Sequence, residues 1–278
     1  MKCLVTGASG FIGAELCHQL EQRGAELRSC GREAPDDQQL RGCQIIYHCA
    51  GIAHRSATAA EYQDANHGAV LALARRAARA GVQRFVFLSS VNAGPEANSY
   101  GYWKWRAEQD LAEEFADSPM GVVLVRPALV YGVGAKANLR SLIELVRRGL
   151  PTPPAGAARS MIGLPDLCAA LCLMIDIDPG RGQVFCLTDG QSYDLQRMHG
   201  AICEAQGRPQ GRSWLPAWCW QLACRSIDLA QGRPASDGLY RRLFGGGLYS
   251  NEAICRALQW QPRDSLEDLM PAMLEGYD

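Results

Sequence analysis

The chain has 278 residues and a mass of 30.3 kDa, with 47% hydrophobic and 21% charged residues, which excludes disorder, collagen and coiled coil as its main theme. That length suits one large domain or two unequal ones, with a core that needs no disulfide or metal to support it. With 28 Lys+Arg against 29 Asp+Glu there is no basic excess for a phosphate backbone, and no nucleic-acid partner is expected.

Residues 2–6 (Lys-Cys-Leu-Val-Thr) read as a buried strand and run straight into a glycine loop, Gly7 to Gly13. Ile12, Leu16 and Leu20 then recur every four residues, the mark of an amphipathic helix stopped by Gly24. Ala25 to Cys30 and Gln44 to Cys49 read as strands, Glu61 to Ala80 as one helix closed by Gly81, Arg84 to Ser89 as a strand, Ser99 to Ala116 as a helix, and Gly121 to Arg126 as a strand stopped by Pro127. Strands alternating with helices predict βαβ units and a doubly wound parallel sheet. About six strands are expected from residues 1–132, with 161–188 returning to the sheet. Residues 133–160 and 189–278 are expected to form a smaller C-terminal cap. No stretch reaches the ~18 uninterrupted apolar residues of a membrane span, the richest candidate, Leu215 to Cys224, being broken by Gln221. The start fits no signal peptide, and a soluble cytoplasmic protein is expected. The twelve cysteines show no Cys-x-x-Cys pair and the five histidines no ligand spacing, so reduced core thiols and no metal site are expected.

In Gly7-Ala8-Ser9-Gly10-Phe11-Ile12-Gly13 the glycines recur at a spacing of three. The first permits the tight turn off the strand, the second removes a Cβ where a pyrophosphate approaches the backbone, and the third lets helix and strand pack closely. The free N–H groups of the helix N-terminus then face the phosphates. Strand before and amphipathic helix after make Gly7, Ser9, Gly10, Phe11, Ile12 and Gly13 a candidate dinucleotide site. The second strand ends Cys30-Gly31-Arg32-Glu33. If Gly31 holds the acidic slot, Arg32 reaches the 2′-phosphate of NADP or stacks on adenine; if the register is shifted by two, Glu33 takes the ribose hydroxyls of NAD. NADP is favoured through Arg32.

Tyr100 and Lys104 stand four apart, on one helix face. With nine Tyr and only three Lys (Lys2, Lys104, Lys136) in 278 residues, such a pair is expected by chance about 0.1 times. A tyrosine titrates near ~10 in water, and a nearby ammonium lowers that value, so Tyr100 is a candidate general acid/base. Ser89-Ser90, at the carboxyl end of the preceding strand, would point a hydroxyl at the same place.

Taken in order, these motifs resemble the extended short-chain dehydrogenase/reductase superfamily and, within it, the NAD(P)-dependent epimerase/dehydratase group acting on nucleotide sugars. The resemblance implies a Rossmann-type α/β fold with a substrate-binding cap. It covers nearly the whole chain. Tyr47-His48-Cys49-Ala50-Gly51 resembles the strand-end element beside the cofactor, which implies contacts from Ala50 and Gly51, and Asn66 matches the group's helix asparagine. Phe85 to Ser90 resembles the catalytic-serine strand, with Ser90 at the active position. Leu124 to Gly132, containing the implied cofactor contact Pro127, resembles the motif leading out to the substrate domain. Asn92, Asn138 and Arg159 are implied, with Ser90, as substrate contacts, Asn138 and Arg159 at the nucleotide diphosphate.

The resemblance also implies the chemistry. Hydride moves between nicotinamide C4 and the C4 of a UDP-linked sugar; Tyr100 gives or takes the hydroxyl proton, Ser90 holds the oxygen, and Lys104 binds the nicotinamide ribose. A 4-keto reductase of a UDP-hexose or UDP-6-deoxy-N-acetylhexosamine, serving polysaccharide synthesis, and a 4-epimerase with retained cofactor need the same residues. A non-catalytic nucleotide-binding regulator of the same fold would usually lack the Tyr/Lys pair. The segments 32–44 and 90–100 are shorter than the group's pattern, so one strand after Arg32 is expected to be reduced or missing. A homodimer is expected, helices 61–80 and 99–116 packing against their copies through the small-residue stripe Ala69, Leu73, Ala77 and Ala80.

Overall fold

Short apolar runs, each closed by a glycine, a proline or a polar loop, become the strands, and capped amphipathic segments become the helices between them. The computed structural model describes residues 1–31, 33–53, 57–135, 138–177, 183–230 and 238–276. β1 (Lys2–Thr6) is buried from Cys3 onward, the continuous run that a strand covered on both faces requires. α1 (Phe11–Gln22) buries Leu16 and Leu20 and leads to β2 (Glu26–Cys30). α2 (Asp37–Leu40) opens on a capping box between Asp36 and Gln39, and β3 (Ile45–His48) follows. α3 (Ala59–Gln63) opens on a second box between Thr58 and Glu61, and a π-helical turn at Asp64–Gly68 joins it to α4 (Ala69–Arg79). Next come β4 (Arg84–Leu88), α5 (Ser99–Glu114), whose Asn98 cap accepts from the Gly101 N–H, and β5 (Gly121–Pro127). β6 (Leu129–Tyr131), α6 (Asn138–Arg147), β7 (Met161–Gly163), α7 (Leu164–Cys172) and β8 (Val184–Leu187) follow. α8 (Leu195–Ala205), α9 (Ala217–Ala230), α10 (Leu239–Phe244), α11 (Glu252–Leu258) and α12 (Leu266–Glu275) complete the chain.

Six strands form one parallel sheet in the order β2-β1-β3-β4-β5-β8. The chain therefore leaves β1 in one direction to make β2, and in the other to make β3 and all later strands. That reversal opens a crevice at the carboxyl ends of β1 and β3, where ligands of such sheets bind. β2 is the sheet edge, and only the four-residue α2 separates it from β3 among the described residues, as the short 32–44 segment implies. The core against α4 and α5 is built from Leu4, Ile46, Phe85, Phe87 and Leu124 of the sheet, meeting Val70, Ala74 and Leu111.

The chain divides into two units. The first comprises 1–128, 164–188 and 250–262; the second comprises 129–163, 189–249 and 263–278. Residues 250–262, expected with the cap, lie in the first unit because α11 packs on β8 and the Asn251 side chain donates to the Thr188 carbonyl at 2.8 Å. In the second unit β6 and β7 pair in parallel, and Tyr131 and Tyr193 both donate to the Asp189 carboxylate at 2.8 Å.

Two expectations change. The helix expected over 61–80 is interrupted by the π-helical turn. Of the stripe expected to face a second copy, Leu73 and Ala77 lie in the chain's own core cluster and Ala80 packs against it, because that side of α4 covers Phe85 and Phe87, while Ala69 is exposed. No helix among the described residues is long and apolar enough to cross a membrane.

Candidate active site

The crevice begins where β1 ends. The Thr6 hydroxyl and His48 Nδ1 are 2.8 Å apart, and the Ala50 N–H donates to the same hydroxyl at 3.4 Å, lacing the ends of β1 and β3 together. This brings the chains so close that a Cβ on Gly7, which has φ +70°, would fall 2.8 Å from the Ala50 nitrogen. A Cβ on Gly13 would fall 2.2 Å from the Gly7 carbonyl oxygen, so α1 can pack this tightly on the turn only with glycine there. The Ala8 N–H donates to the Cys30 carbonyl at 3.1 Å and fixes the loop to the end of β2. Ser9, Gly10, Phe11 and Ile12 carry the backbone into α1, whose Gly10 cap has no side-chain partner and whose first turn has no acidic residue. Such a helix start offers its N–H groups and its dipole to an anion, and the loop fits the pyrophosphate of a dinucleotide.

The wall beyond Ala50 is held from inside. Asn66, fully buried on the π-helical turn, accepts from the Ile52 N–H and donates to the Ile52 carbonyl, both at 3.0 Å. Asn66 therefore acts by clamping the strand-end loop, with Gly51 lying between its side chain and that of Lys104. His48, whose ring stacks at 6.0 and 6.1 Å from those of Phe85 and Phe87 on the neighbouring strand, is pulled down to about 3, chiefly by burial and also by the Lys104 charge, and stands neutral.

Ser90, Tyr100 and Lys104 come together at the carboxyl end of β4. The Ser90 hydroxyl accepts from the Asn92 N–H at 3.1 Å and is hydrogen-bonded to Tyr100. The buried Lys104 ammonium donates to the Leu88 carbonyl at 2.5 Å and lies 4.7 Å from the centre of the Phe87 ring. The expectation that the ammonium lowers the Tyr100 phenol is corrected. Burial pushes the phenol above its usual value, and the Ser90 hydrogen bond opposes that without reversing it. Burial pulls Lys104 down to about 8, with the charges of Cys49 and Glu108 opposing. At neutral pH the site thus holds a protonated phenol beside a protonated amine, a proton donor at a strand end.

The Pro127 carbonyl accepts from the Val91 N–H at 3.3 Å and anchors the segment carrying Ser90, while the Asn92 side chain is exposed. Arg32 and the side chain of Asn138 lie outside the described residues. Arg159, in the second unit, donates through Nη2 to the carbonyls of Arg242, Leu243 and Gly245 at 3.0, 2.7 and 2.6 Å, closing the end of α10. Its Nε is buried without a hydrogen-bond partner among the described residues. Sequence reasoning missed the Thr6–His48 lacing, a pairing across 42 residues that no local pattern announces. It also missed Glu108, fully buried and gripped by the fork of Arg126, with Nε donating at 2.8 Å. Its four-residue step beyond Lys104 was the available signal.

A switch-point crevice with a glycine turn, and with Ser90, Tyr100 and Lys104 gathered at a neighbouring strand end, defines the class: an NAD(P)-dependent enzyme on a Rossmann-type fold. More narrowly, the chain belongs to the NAD dependent epimerase/dehydratase family, whose model matches residues 3–183. It is 29% identical to a UDP-glucose 4-epimerase of Vibrio cholerae over 95% of this chain and 92% of the relative. It is 31% identical to a UDP-2-acetamido-2,6-beta-L-arabino-hexul-4-ose reductase of Pseudomonas aeruginosa, over 51% of this chain and 39% of the relative. Its fold matches that of a UDP-glucuronic acid 4-epimerase from Bacillus cereus in complex with NAD, with a TM-score of 0.78 at 16% identity and 100% of both chains covered.

Proposed function

We propose that this protein catalyses NAD(P)-dependent oxidoreduction at C4 of a UDP-linked sugar. The observation that carries the reading is the Ser90–Tyr100–Lys104 cluster at the strand end, one loop away from the glycine turn. The glycine loop, Ala50, Gly51, Asn66 and Pro127 are the proposed cofactor shell, with Lys104 directed to the nicotinamide ribose and Arg32 favouring NADP. When bound, the nicotinamide supplies or accepts the hydride. Tyr100 donates the proton to the C4 oxygen in reduction and removes it in oxidation. Ser90, oriented by the Asn92 N–H, donates a hydrogen bond to the same oxygen. Asn92 and Asn138 are the proposed substrate contacts, and the unpartnered Nε of Arg159 is the proposed donor to the diphosphate.

Two outcomes share this chemistry. One is net reduction of a 4-keto UDP-hexose or UDP-6-deoxy-N-acetylhexosamine. The other is 4-epimerisation with the cofactor retained, which the likeness to the Vibrio cholerae epimerase over 95% of the chain favours. The purified protein, freed of nucleotide, should be given UDP-glucose and separately a 4-keto UDP-sugar with NADPH. Consumption of one free NADPH per product identifies a reductase; interconversion of the C4 epimers with no net change in cofactor identifies an epimerase. No reaction of any UDP-sugar with either cofactor would overturn the substrate class.

A further inference from the structure

Helix α9 is apolar on two opposite sides. Trp220 and Cys224 face inward, Trp220 meeting Phe244 of α10 edge-on with ring centres 5.9 Å apart. On the other side Trp218, Leu222 and Leu229 are 64%, 59% and 75% exposed, and Trp214, just before the helix, is 73% exposed. The steps from 218 to 222, 225 and 229 are four, three and four residues, so Arg225 stands in the middle of this stripe on a 3.6-residue helix. An aliphatic and indole surface this open is unusual on a soluble domain and marks a contact face.

The chemistry around the stripe selects the partner. From 211 to 230 the sequence carries Arg212 and Arg225 against one carboxylate, Asp228, while Arg208 just before is engaged elsewhere, donating to the Val146 carbonyl at 3.0 Å. Asp228 is already engaged, its Oδ2 accepting from the Leu239 N–H at 2.8 Å. A two-fold contact between copies would bring Arg225 against the same face of the second copy, where among the described residues of α9 the one acid is Asp228, engaged with the Leu239 N–H. An anionic lipid surface answers it directly: tryptophan and leucine enter the boundary between headgroups and chains, and the arginine stem snorkels to the phosphates.

We propose that the Trp214–Leu229 face of α9 docks the protein peripherally on anionic phospholipid, lying in the interface. This rests on the α9 face alone and is independent of the reaction catalysed. The test is flotation of the full chain with phosphatidylcholine vesicles, with and without about one-third phosphatidylglycerol. The protein should float only with the anionic vesicles, and should be released as salt shortens the Debye length to about 3 Å at 1 M. The double variant Trp218→Ser/Leu222→Ser should lose at least about tenfold in binding, and Arg225→Gln about fivefold. Trp214, Trp218, Leu222, Arg225 and Leu229, the side chains tested or retained on this face, are all exposed, so thermal unfolding should be unchanged. Absence of flotation overturns the proposal, as does flotation of the double variant at the wild-type level. A wild-type dimer that ignores vesicles and becomes a monomer in the double variant would instead make the face an interface between copies.

Discussion

Lys104 carries a conflict between stability and chemistry. Its folded value of about 8 lies below the usual 10.5, because burial removes water from the ammonium. The unfolded chain therefore binds more protons between those two values. The cost of the buried charge is full below about 8 and is relieved as pH rises through the window. At 1.36 kcal/mol per unit the cost is about 3 kcal/mol. Lys104→Met is expected to abolish turnover while leaving the melting temperature at pH 7 unchanged or higher; a fall of several degrees would show that the Leu88 hydrogen bond outweighs the buried charge. His48 has the opposite relation to acid. Neutral in the fold and pulled down to about 3, it contributes stability that is complete above 6.5 and is lost as pH falls toward 3. His48→Asn can still meet the Thr6 hydroxyl but does not titrate, so its urea stability should depend less on pH between 6.5 and 3. An unchanged slope would place the acid lability elsewhere.

The interrupted α3–α4 segment shows where element reading runs out. The run from Glu61 to Ala80 has the composition of one continuous helix, and composition carries no sign of a widened turn. The cause is tertiary: Asn66 turns inward to satisfy both backbone groups of Ile52, and the helix opens to let it. By contrast β1, α1, β4 and α5 were legible because apolar spacing, glycine and caps agree there. Asn66→Ala should cost about 2–4 kcal/mol, since it empties a buried site and strands two backbone groups. It should also weaken cofactor binding, through loss of order in the Gly51 loop. The check is a urea midpoint that falls with an unchanged slope; a variant as stable as the parent would mean that water replaces the side chain.

At the level of the chain, the elements of residues 1–128 were readable because their motifs are local: a loop, a strand end, a four-residue spacing. The later half was not, because its contacts pair residues far apart, as Arg159 does with the end of α10 at 242–245. The return of 250–262 to the first unit is of the same kind. Cofactor binding should be visible as stabilisation of the first unit: NADPH at about a hundred times its Kd adds about 2.7 kcal/mol and raises the melting temperature. Gly7→Ala should remove that gain, because the new Cβ meets the Ala50 backbone at 2.8 Å. An equal rise in Gly7→Ala would move the cofactor away from the glycine loop. The central claim is that Tyr100 is the acid/base of the reaction, and Tyr100→Phe tests it most directly, since it keeps the ring and removes only the hydroxyl. With cofactor and a UDP-sugar substrate, turnover should fall by about 10²–10⁴ while cofactor affinity, measured by titration on the same preparation, is unchanged. Turnover retained near the parent level would contradict the account.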